Sequence, residues 1–237
     1  MLREQVAWAC RILALEGYAD LTLGHVSALS AGGKTIFIKR KGVALDEVEP
    51  DDVVELELEG ERALSGPVDI HLETVLHTSV YRARPDVGSV VHGHPLYATA
   101  LAAGDAPLEL LTHDAVLFAD GIARFEETPD LIVESEQADA VARALGSHHA
   151  VLLRNHGVLV VGKDVPWAVL AAVTLERAVK LQAIAGSLGP RRPMSPESAA
   201  RLHPVKYQDH FVDEYWQSWI RQVRRAGAAA GMPRGSE

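Results

Sequence analysis

The chain has little cysteine, few aromatic residues and fewer basic than acidic side chains. Cys10 is the single cysteine among 237 residues, so no intrachain disulfide forms, and its apolar surroundings in the sequence predict plain burial. Aromatic residues make up 5%, which argues against a surface that stacks single-stranded nucleic acid. The formal net charge of −9 repels a phosphate backbone. We therefore expect no nucleic-acid partner, although a local basic pocket for a small anion remains compatible with this charge.

Long hydrophobic runs are also missing. The charge-free apolar stretch 165–175 is too short to span a bilayer. Glu4 and Arg11 interrupt the N-terminal segment, which therefore does not resemble a signal peptide. These features predict a cytoplasmic protein without a membrane partner.

The remaining composition is typical of a globular enzyme-sized domain, with 48% hydrophobic and 23% charged residues. The spacing of apolar residues predicts helices, and short β-rich runs predict strands, in mixed order. We expect a single α/β domain over residues 1–225 and a flexible, Gly-rich C-terminal tail over 226–237. Predicted helices cover 2–16, 70–82, 96–103, 131–145, 165–186 and 205–225, predicted strands cover 35–38, 53–58, 87–94, 150–153 and 157–161, and a loop is predicted over 22–30.

Histidines are the most informative residues. His92 and His94 lie two apart on a β-like run, so their side chains face the same side of a strand. His156 follows another apolar strand and precedes a glycine. Three neutral imidazoles around a divalent ion leave open coordination positions, as in catalytic sites. The alternative is that the pair is an ordinary surface or core feature, because spacing alone does not bring residue 156 to residue 94.

An acid or base is also needed for such chemistry. Glu73 lies near the start of a predicted helix, and His77 follows four residues later on the same helix face. A carboxylate beside a divalent ion could move protons to and from a substrate. The alternative is an ordinary first-turn glutamate that the helix dipole favours.

Five motifs together resemble the class II aldolase/adducin head-domain family. They occur in that family's order and cover about residues 1–190. The resemblance implies a single-domain α/β/α sandwich with a central mixed, largely antiparallel sheet. It also implies that His92, His94 and His156 bind one divalent metal per subunit, that Glu73 is the acid/base, and that a homotetramer carries active sites between subunits. The motifs are 24–27, Glu73-x-x-x-His77, 81–86, 90–94 and 152–158.

The chain departs from the sugar-phosphate aldolases of that family at the places where they hold phosphate. It has His25, Lys41-Gly42 and His71 where those enzymes carry small hydroxyl and amide groups. Such cationic side chains suit a carboxylate held by charge-assisted hydrogen bonds better than a phosphate nest. The alternative is that Lys39, Arg40 and Lys41 form a solvated edge and that His25 satisfies loop backbone groups.

A second proton donor is expected near the place where the fuculose-phosphate aldolases use a tyrosine from a neighbouring subunit. His113 stands near that place, and its ordinary pKa lies close to neutral pH. Tyr207, His210 and Tyr215 are the other candidates, in the C-terminal segment.

We therefore predict a divalent-metal-dependent carbon–carbon lyase that takes a small anionic substrate. The favoured activity is decarboxylation of a hydroxylated aromatic or heteroaromatic dicarboxylate through a metal-stabilised enolate or phenolate. Zinc or manganese is the expected ion, and iron or cobalt also accepts imidazole ligands. The alternatives are a class II aldolase that cleaves a hydroxy-carbonyl or sugar-phosphate compound, and a non-catalytic adducin-like binding module.

Overall fold

The computed structural model of the chain describes residues 1–64, 66 and 68–229. These residues form seven strands and seven α-helices, joined by turns and by two longer segments, 58–73 and 103–122. A π-helical turn follows the first helix, and Gly17 ends it with a φ of 99°. The strands are β1 (His25–Leu29), β2 (Thr35–Lys39), β3 (Val53–Glu57), β4 (Ser89–Gly93), β5 (Ala123–Phe125), β6 (Ala150–Leu153) and β7 (Gly157–Gly162), and the helices are α1 (Leu2–Leu13), α2 (Thr74–Ala83), α3 (Leu96–Ala102), α4 (Ser135–Leu145), α5 (Val165–Leu188), α6 (Pro196–Lys206) and α7 (Asp209–Ala229).

The seven strands form one mixed sheet in the order β3-β2-β1-β4-β7-β6-β5. Every neighbouring pair is antiparallel except β5 and β6, which are parallel. The central position of β4 places it between β1 and β7, so histidines on or after these strands meet at one region of the sheet. The predicted mixed, largely antiparallel sheet is confirmed.

Helices cover both faces of the sheet, and the central strands contribute buried apolar side chains to both sides. Val26 and Val91 face a core that α1, α3, α5 and α7 share. Val90 faces the second core, which α2 and α4 complete. α5 is buried over most of its length, which explains why apolar residues occur all around it rather than in one stripe. The α/β/α sandwich is confirmed.

The structure corrects the sequence prediction in three segments. The predicted loop over 22–30 contains β1, which is buried between β2 and β4. The helix predicted over 205–225 is α7, which begins at Asp209, and the sequence patterns predict neither α6 before it nor the parallel strand β5. α7 continues to Ala229, and the remaining residues of the predicted tail, 230–237, lie outside the described residues.

No helix in the described part of the chain combines the length and the apolar character needed to cross a bilayer. Cys10 is buried in α1 as predicted, and burial raises the pKa of its thiol to about 12.

Candidate metal centre

Three imidazole rings lie close together at the end of β4, next to the turn between β6 and β7. His92 lies on β4, His94 follows the strand, and His156 lies in the turn. One ring nitrogen from each of the three lies within 4.8 Å of the others. The β4–β7 pairing produces this convergence, since it places Gly93 opposite Val158. His156 therefore joins His92 and His94 in one cluster, although it lies 62 or more positions from them in the sequence.

The hydrogen bonds of two of these rings leave a nitrogen available for an ion. His92 Nδ1 lies 3.0 Å from the carbonyl oxygen of Val158, so Nδ1 carries the hydrogen. Its Nε2 is buried and has no hydrogen-bond partner among the described residues. His94 Nδ1 lies 2.9 Å from Asp20 Oδ2 in the same way. Carbonyl and carboxylate partners of this kind orient metal-binding histidines and fix their tautomer.

The turn that carries His156 needs unusual backbone geometry. Asn155 adopts a φ of 55°, which asparagine tolerates better than most residues. A Cβ at position 157 would stand 2.6 Å from both the Gly93 carbonyl oxygen and His94 Cδ2. Gly157 therefore lets the turn pack directly against the β4 histidines.

Glu73 points into the same cluster from the start of α2. Its Oε2 lies 3.3 Å from His92 Nε2, its Oε1 lies 3.4 Å from His156 Nε2, and the Ile132 amide donates to it. Burial by itself raises the pKa of Glu73, but the contacts with His156 and His92 outweigh burial and lower it below its ordinary value. The Nε2 atoms of His92 and His156 and both Glu73 oxygens therefore converge, and His92 Nε2 has no hydrogen-bond partner among the described residues. A divalent cation would bind these nitrogen and carboxylate donors together, so this donor set fits such an ion.

A second group of possible ligands overlaps the first. His25, Glu73 and His92 also place one donor atom each within 4.8 Å of the others. His25 lies directly opposite His92 in the β1–β4 register, and its Nδ1 is 2.7 Å from His77 Nε2. Burial, reinforced by the neighbouring histidines, lowers the pKa values of His25 and His77 well below the ordinary histidine value. Both rings are therefore neutral near pH 7.

A buried lysine, Lys39, extends this cluster, so the solvated edge considered for Lys39 is wrong at this residue. Lys39 ends β2 and is 0% exposed, and its Nζ donates to the Thr22 carbonyl oxygen at 3.0 Å. The same Nζ lies 3.2 Å from His71 Nε2, and the His71 and His25 ring centroids are 4.4 Å apart. Burial lowers the pKa of Lys39 to about 8. Burial and the Lys39 charge lower the pKa of His71 to about 4, so His71 is neutral beside an ammonium.

The other predicted substrate-binding and proton-donating residues lie farther out. Lys41 and Gly42 are exposed in the turn after β2, where the Lys41 amide donates to the Asp69 carbonyl oxygen. His113 is exposed and precedes the 3₁₀ turn Asp114–Phe118. Within the described residues, no hydrogen bond joins His113 to the imidazole cluster.

The C-terminal candidates for a second proton donor lie on or between α6 and α7. Tyr207 is buried and donates to the Asp114 carbonyl oxygen, and burial raises its pKa. Tyr215 and His210 lie on α7, where both are exposed. None of the three takes part in a hydrogen bond with the cluster among the described residues.

A surface depression of about 240 Å³ opens beside two of the converging rings. Its lining residues are His94, Pro129, Leu131, Asn155 and His156. A somewhat larger depression, about 280 Å³, lies between Glu16 and α5 and contains no residue of the imidazole cluster. The first depression therefore exposes His94 and His156 of the cluster to solvent.

Comparisons with known proteins agree with this architecture. The model of the Class II Aldolase and Adducin N-terminal domain matches residues 4–183. The chain belongs to this family. It resembles the L-fuculose 1-phosphate aldolase of Glaciozyma antarctica PI12 with a TM-score of 0.83 at 23% identity, covering 98% of this chain and 92% of that one. At this identity the likeness establishes the fold.

Two sequence relatives of this family member are decarboxylases. It is 31% identical over 206 residues to the 3,4-dihydroxyphthalate decarboxylase of Arthrobacter keyseri, covering 79% of each chain. It is 27% identical over 173 residues to the decarboxylase NovR of Streptomyces niveus, covering 73% of this chain and 63% of that protein. Similar proteins are thus decarboxylases and aldolases, and the prediction of a metal-dependent lyase is confirmed at this level.

Proposed function

We propose that the chain is a decarboxylase of a hydroxylated aromatic or heteroaromatic dicarboxylate. The observation that carries this proposal is the buried Lys39 ammonium and the His71 and His25 rings beside Glu73. An ammonium group and imidazole rings bind a substrate carboxylate better than a group of hydroxyls does. The name of one relative, 3,4-dihydroxyphthalate decarboxylase, supports the same substrate class, and the name of a second, decarboxylase NovR, supports the reaction type.

His92, His94 and His156 would hold one divalent ion, with zinc or manganese as the proposed metals and iron or cobalt also compatible. When bound, the ion stabilises the negative charge that develops on a substrate oxygen as the carbon–carbon bond breaks. Asp20 and the Val158 carbonyl keep the hydrogens of His94 and His92 on Nδ1, so each ring presents Nε2.

Glu73 is the proposed acid/base, and its lowered pKa makes it a carboxylate before substrate arrives. It accepts the proton of the substrate hydroxyl. The carbon–carbon bond between the ring and the leaving carboxylate then breaks. Carbon dioxide departs, and the electron pair of that bond stays with the ring. Glu73 returns the proton to the ring carbon, and a second proton, from solvent through His113, restores the hydroxyl. One proton is therefore consumed per carbon dioxide released.

The remaining proposed roles concern binding of the substrate's second carboxylate. His25 and His71 face the site from β1 and from the segment before α2, and Lys41 and Gly42 lie in the turn after β2. His113 is proposed to reach the site of a neighbouring subunit in a homotetramer, since it is exposed and has no hydrogen bond to the cluster of its own chain among the described residues.

The test is carbon dioxide release from a panel of aromatic and aliphatic hydroxy-dicarboxylates, with metal-loaded and metal-stripped protein. Loaded protein should release carbon dioxide, and stripped protein should not. Glu73→Gln should lower turnover about 10²–10⁴-fold, the usual contribution of a positioned acid/base, while its metal content stays unchanged. Glu127→Gln, an exposed site, is the matched control and should keep full turnover.

Two outcomes would replace this proposal. Aldehyde in place of carbon dioxide would identify an aldolase. Purified protein that binds neither zinc nor manganese and turns over no substrate would identify an adducin-like binding module.

A further inference from the structure

Four buried side chains form a continuous hydrogen-bond chain that ends at the site. The Tyr81 hydroxyl lies 2.7 Å from Ser27 Oγ, and Ser27 Oγ lies 2.7 Å from His77 Nδ1. His77 Nε2 in turn lies 2.7 Å from His25 Nδ1. No member is more than 4% exposed. These four side chains therefore form hydrogen bonds with one another directly, without water between them.

The fold aligns these groups through two periodicities. His25 and Ser27 are two residues apart on β1, so they face the same side of the sheet. His77 and Tyr81 are four residues apart on α2, which covers that side. Glu73 lies one turn before His77 on the same helix face, which brings the last ring of the chain next to the acid/base.

The buried end of the chain determines the direction of its hydrogen bonds. Each contact holds one hydrogen, because two donors facing each other would repel. The only hydrogen-bond acceptor for the Tyr81 hydroxyl among the described residues is Ser27 Oγ. A buried hydroxyl without an acceptor is costly, so Tyr81 donates to Ser27. Ser27 then donates to His77 Nδ1, and His77 donates from Nε2 to His25 Nδ1.

The site end of the chain favours the same direction. His25 accepts at Nδ1, so the hydrogen of its neutral ring is on Nε2. A ring nitrogen of His25 lies within 4.8 Å of a Glu73 carboxylate oxygen. Because Nδ1 is taken by His77, a hydrogen on Nε2 places positive charge on the side of the ring that is free for an anion, whereas a lone pair there would be repelled by a nearby carboxylate.

We propose that Tyr81, Ser27 and His77 hold His25 in its Nε2–H tautomer, and that this N–H donates a hydrogen bond to an anionic oxygen of the substrate. The substrate role rests on the proposed function. His77 is a positioning residue, since it acts through His25. An N–H nitrogen does not ligate a metal, so the overlapping group of His25, Glu73 and His92 is not the metal site, and the ion belongs to His92, His94 and His156.

Neutron diffraction from zinc-loaded, deuterium-exchanged crystals tests the tautomer directly. We expect deuterium on Nε2 of both His25 and His77 and none on the Nδ1 atoms. Deuterium on His25 Nδ1, or zinc bound to His25, would overturn the proposal. This measurement needs no substrate, so it decides the tautomer even if carbon dioxide release is never observed.

A matched pair of serine variants tests the consequence for catalysis. Ser27→Ala breaks the chain, whereas Ser89→Ala removes a hydroxyl that is equally buried on the next strand and donates only to the Ser27 carbonyl. We expect kcat/KM for the best dicarboxylate to fall ~3–10-fold in Ser27→Ala and to stay within about twofold in Ser89→Ala, given the usual worth of one hydrogen bond. Zinc content should be equal in both.

A spectroscopic readout separates positioning from loss of structure. In zinc-loaded, ¹⁵N-histidine-labelled protein, Ser27→Ala should place part of the His25 hydrogen on Nδ1, and Ser89→Ala should leave the wild-type signal. Identical His25 signals and equal kcat/KM in the two variants would refute the hydrogen-bond chain. Failure of wild-type protein to release carbon dioxide would instead refute the proposed function.

Discussion

Lys39 brings an ammonium group into an interior that already holds several imidazole rings. It is buried, with a backbone carbonyl and a neutral imidazole as its hydrogen-bond partners. Neither partner carries a negative charge. A charge buried in this way raises the local positive potential at the neighbouring His71 and His25 rings. An anionic ligand would supply the missing countercharge.

Replacing Lys39 by methionine should weaken binding of a dicarboxylate. A unit charge within about 8 Å, at an effective dielectric constant near 20, contributes on the order of 2 kcal/mol. We therefore expect KM to rise by at least about tenfold with a smaller change in kcat. Steady-state kinetics on the best dicarboxylate measure this, with exposed Lys34→Met as the control. A larger effect of Lys41→Met than of Lys39→Met would assign the carboxylate-binding charge to Lys41.

The pH dependence of KM provides an independent check on Lys39. Its pKa of about 8 means that the ammonium is present at pH 7 and is lost as the pH rises through 8. KM for a dicarboxylate should therefore increase between pH 7 and pH 9 in the wild-type protein. In Lys39→Met the same profile should be flat, and a persistent rise there would show that another group is responsible.

At the scale of elements, the β6–β7 hairpin positions His156 against β4 through a close backbone approach. The approach depends on the absence of a side chain at Gly157, where a Cβ would stand 2.6 Å from the Gly93 carbonyl oxygen. Gly157→Ala should shift the hairpin, lower the stability by about 1–3 kcal/mol and weaken zinc binding about 10–100-fold, as loss of ligand support does. Urea unfolding and competition with a zinc chelator measure the two effects.

Gly104→Ala is the matched control for this prediction. Nothing lies within 4 Å of a Cβ at Gly104, and its φ is not in the left-handed region. Its zinc affinity and unfolding midpoint should match those of the wild-type protein. Equal zinc affinity in Gly157→Ala would show that the hairpin position does not determine how His156 is held.

Elements with strong local patterns were predictable, and those shaped by the site were not. The strands β6 and β7 carry uninterrupted apolar runs, and β4 carries an adjacent valine pair, Val90 and Val91; the sequence predicts all three strands at their observed places. The sequence predicts a loop in place of β1 because His25 and Ser27 break the apolar pattern of this short strand. The sequence leaves a solvated edge open for Lys39, because nothing in the sequence indicates that a lysine next to a strand is buried. The contact between residues 92 and 156 needs the β4–β7 pairing, which local spacing does not encode.

At the scale of the whole molecule, buried neutral histidines make the fold sensitive to acid. The pKa of His71 falls from 6.5 to about 4, and those of His25 and His77 lie well below 6.5, in each case mainly because of burial. The unfolded chain therefore binds more protons below pH 6.5. As the pH falls below 6.5, the free energy of unfolding should therefore decrease by up to about 1.4 kcal/mol per pH unit for each of these histidines.

Urea unfolding of metal-free protein between pH 6.5 and pH 5 tests this loss of stability. His71→Asn should reduce the slope by about one histidine's share, ~1.4 kcal/mol per pH unit, whereas His210→Asn on exposed α7 should leave it unchanged. An unchanged slope in His71→Asn would mean that this ring takes up its proton in the folded state as easily as in the unfolded chain.

The proposed tetramer makes a prediction that concerns subunits rather than single residues. If His113 of one subunit serves the Glu73 site of its neighbour, Glu73→Gln and His113→Asn chains should each be poorly active alone. Hybrids formed by co-expression at equal amounts should recover activity, because about a quarter of the sites combine two intact residues. Sites contained within one subunit would yield no intact combination. A contrary result would be purified, doubly tagged hybrids that are no more active than the Glu73→Gln or His113→Asn protein alone. That result would place His113 in its own subunit's site or outside the reaction.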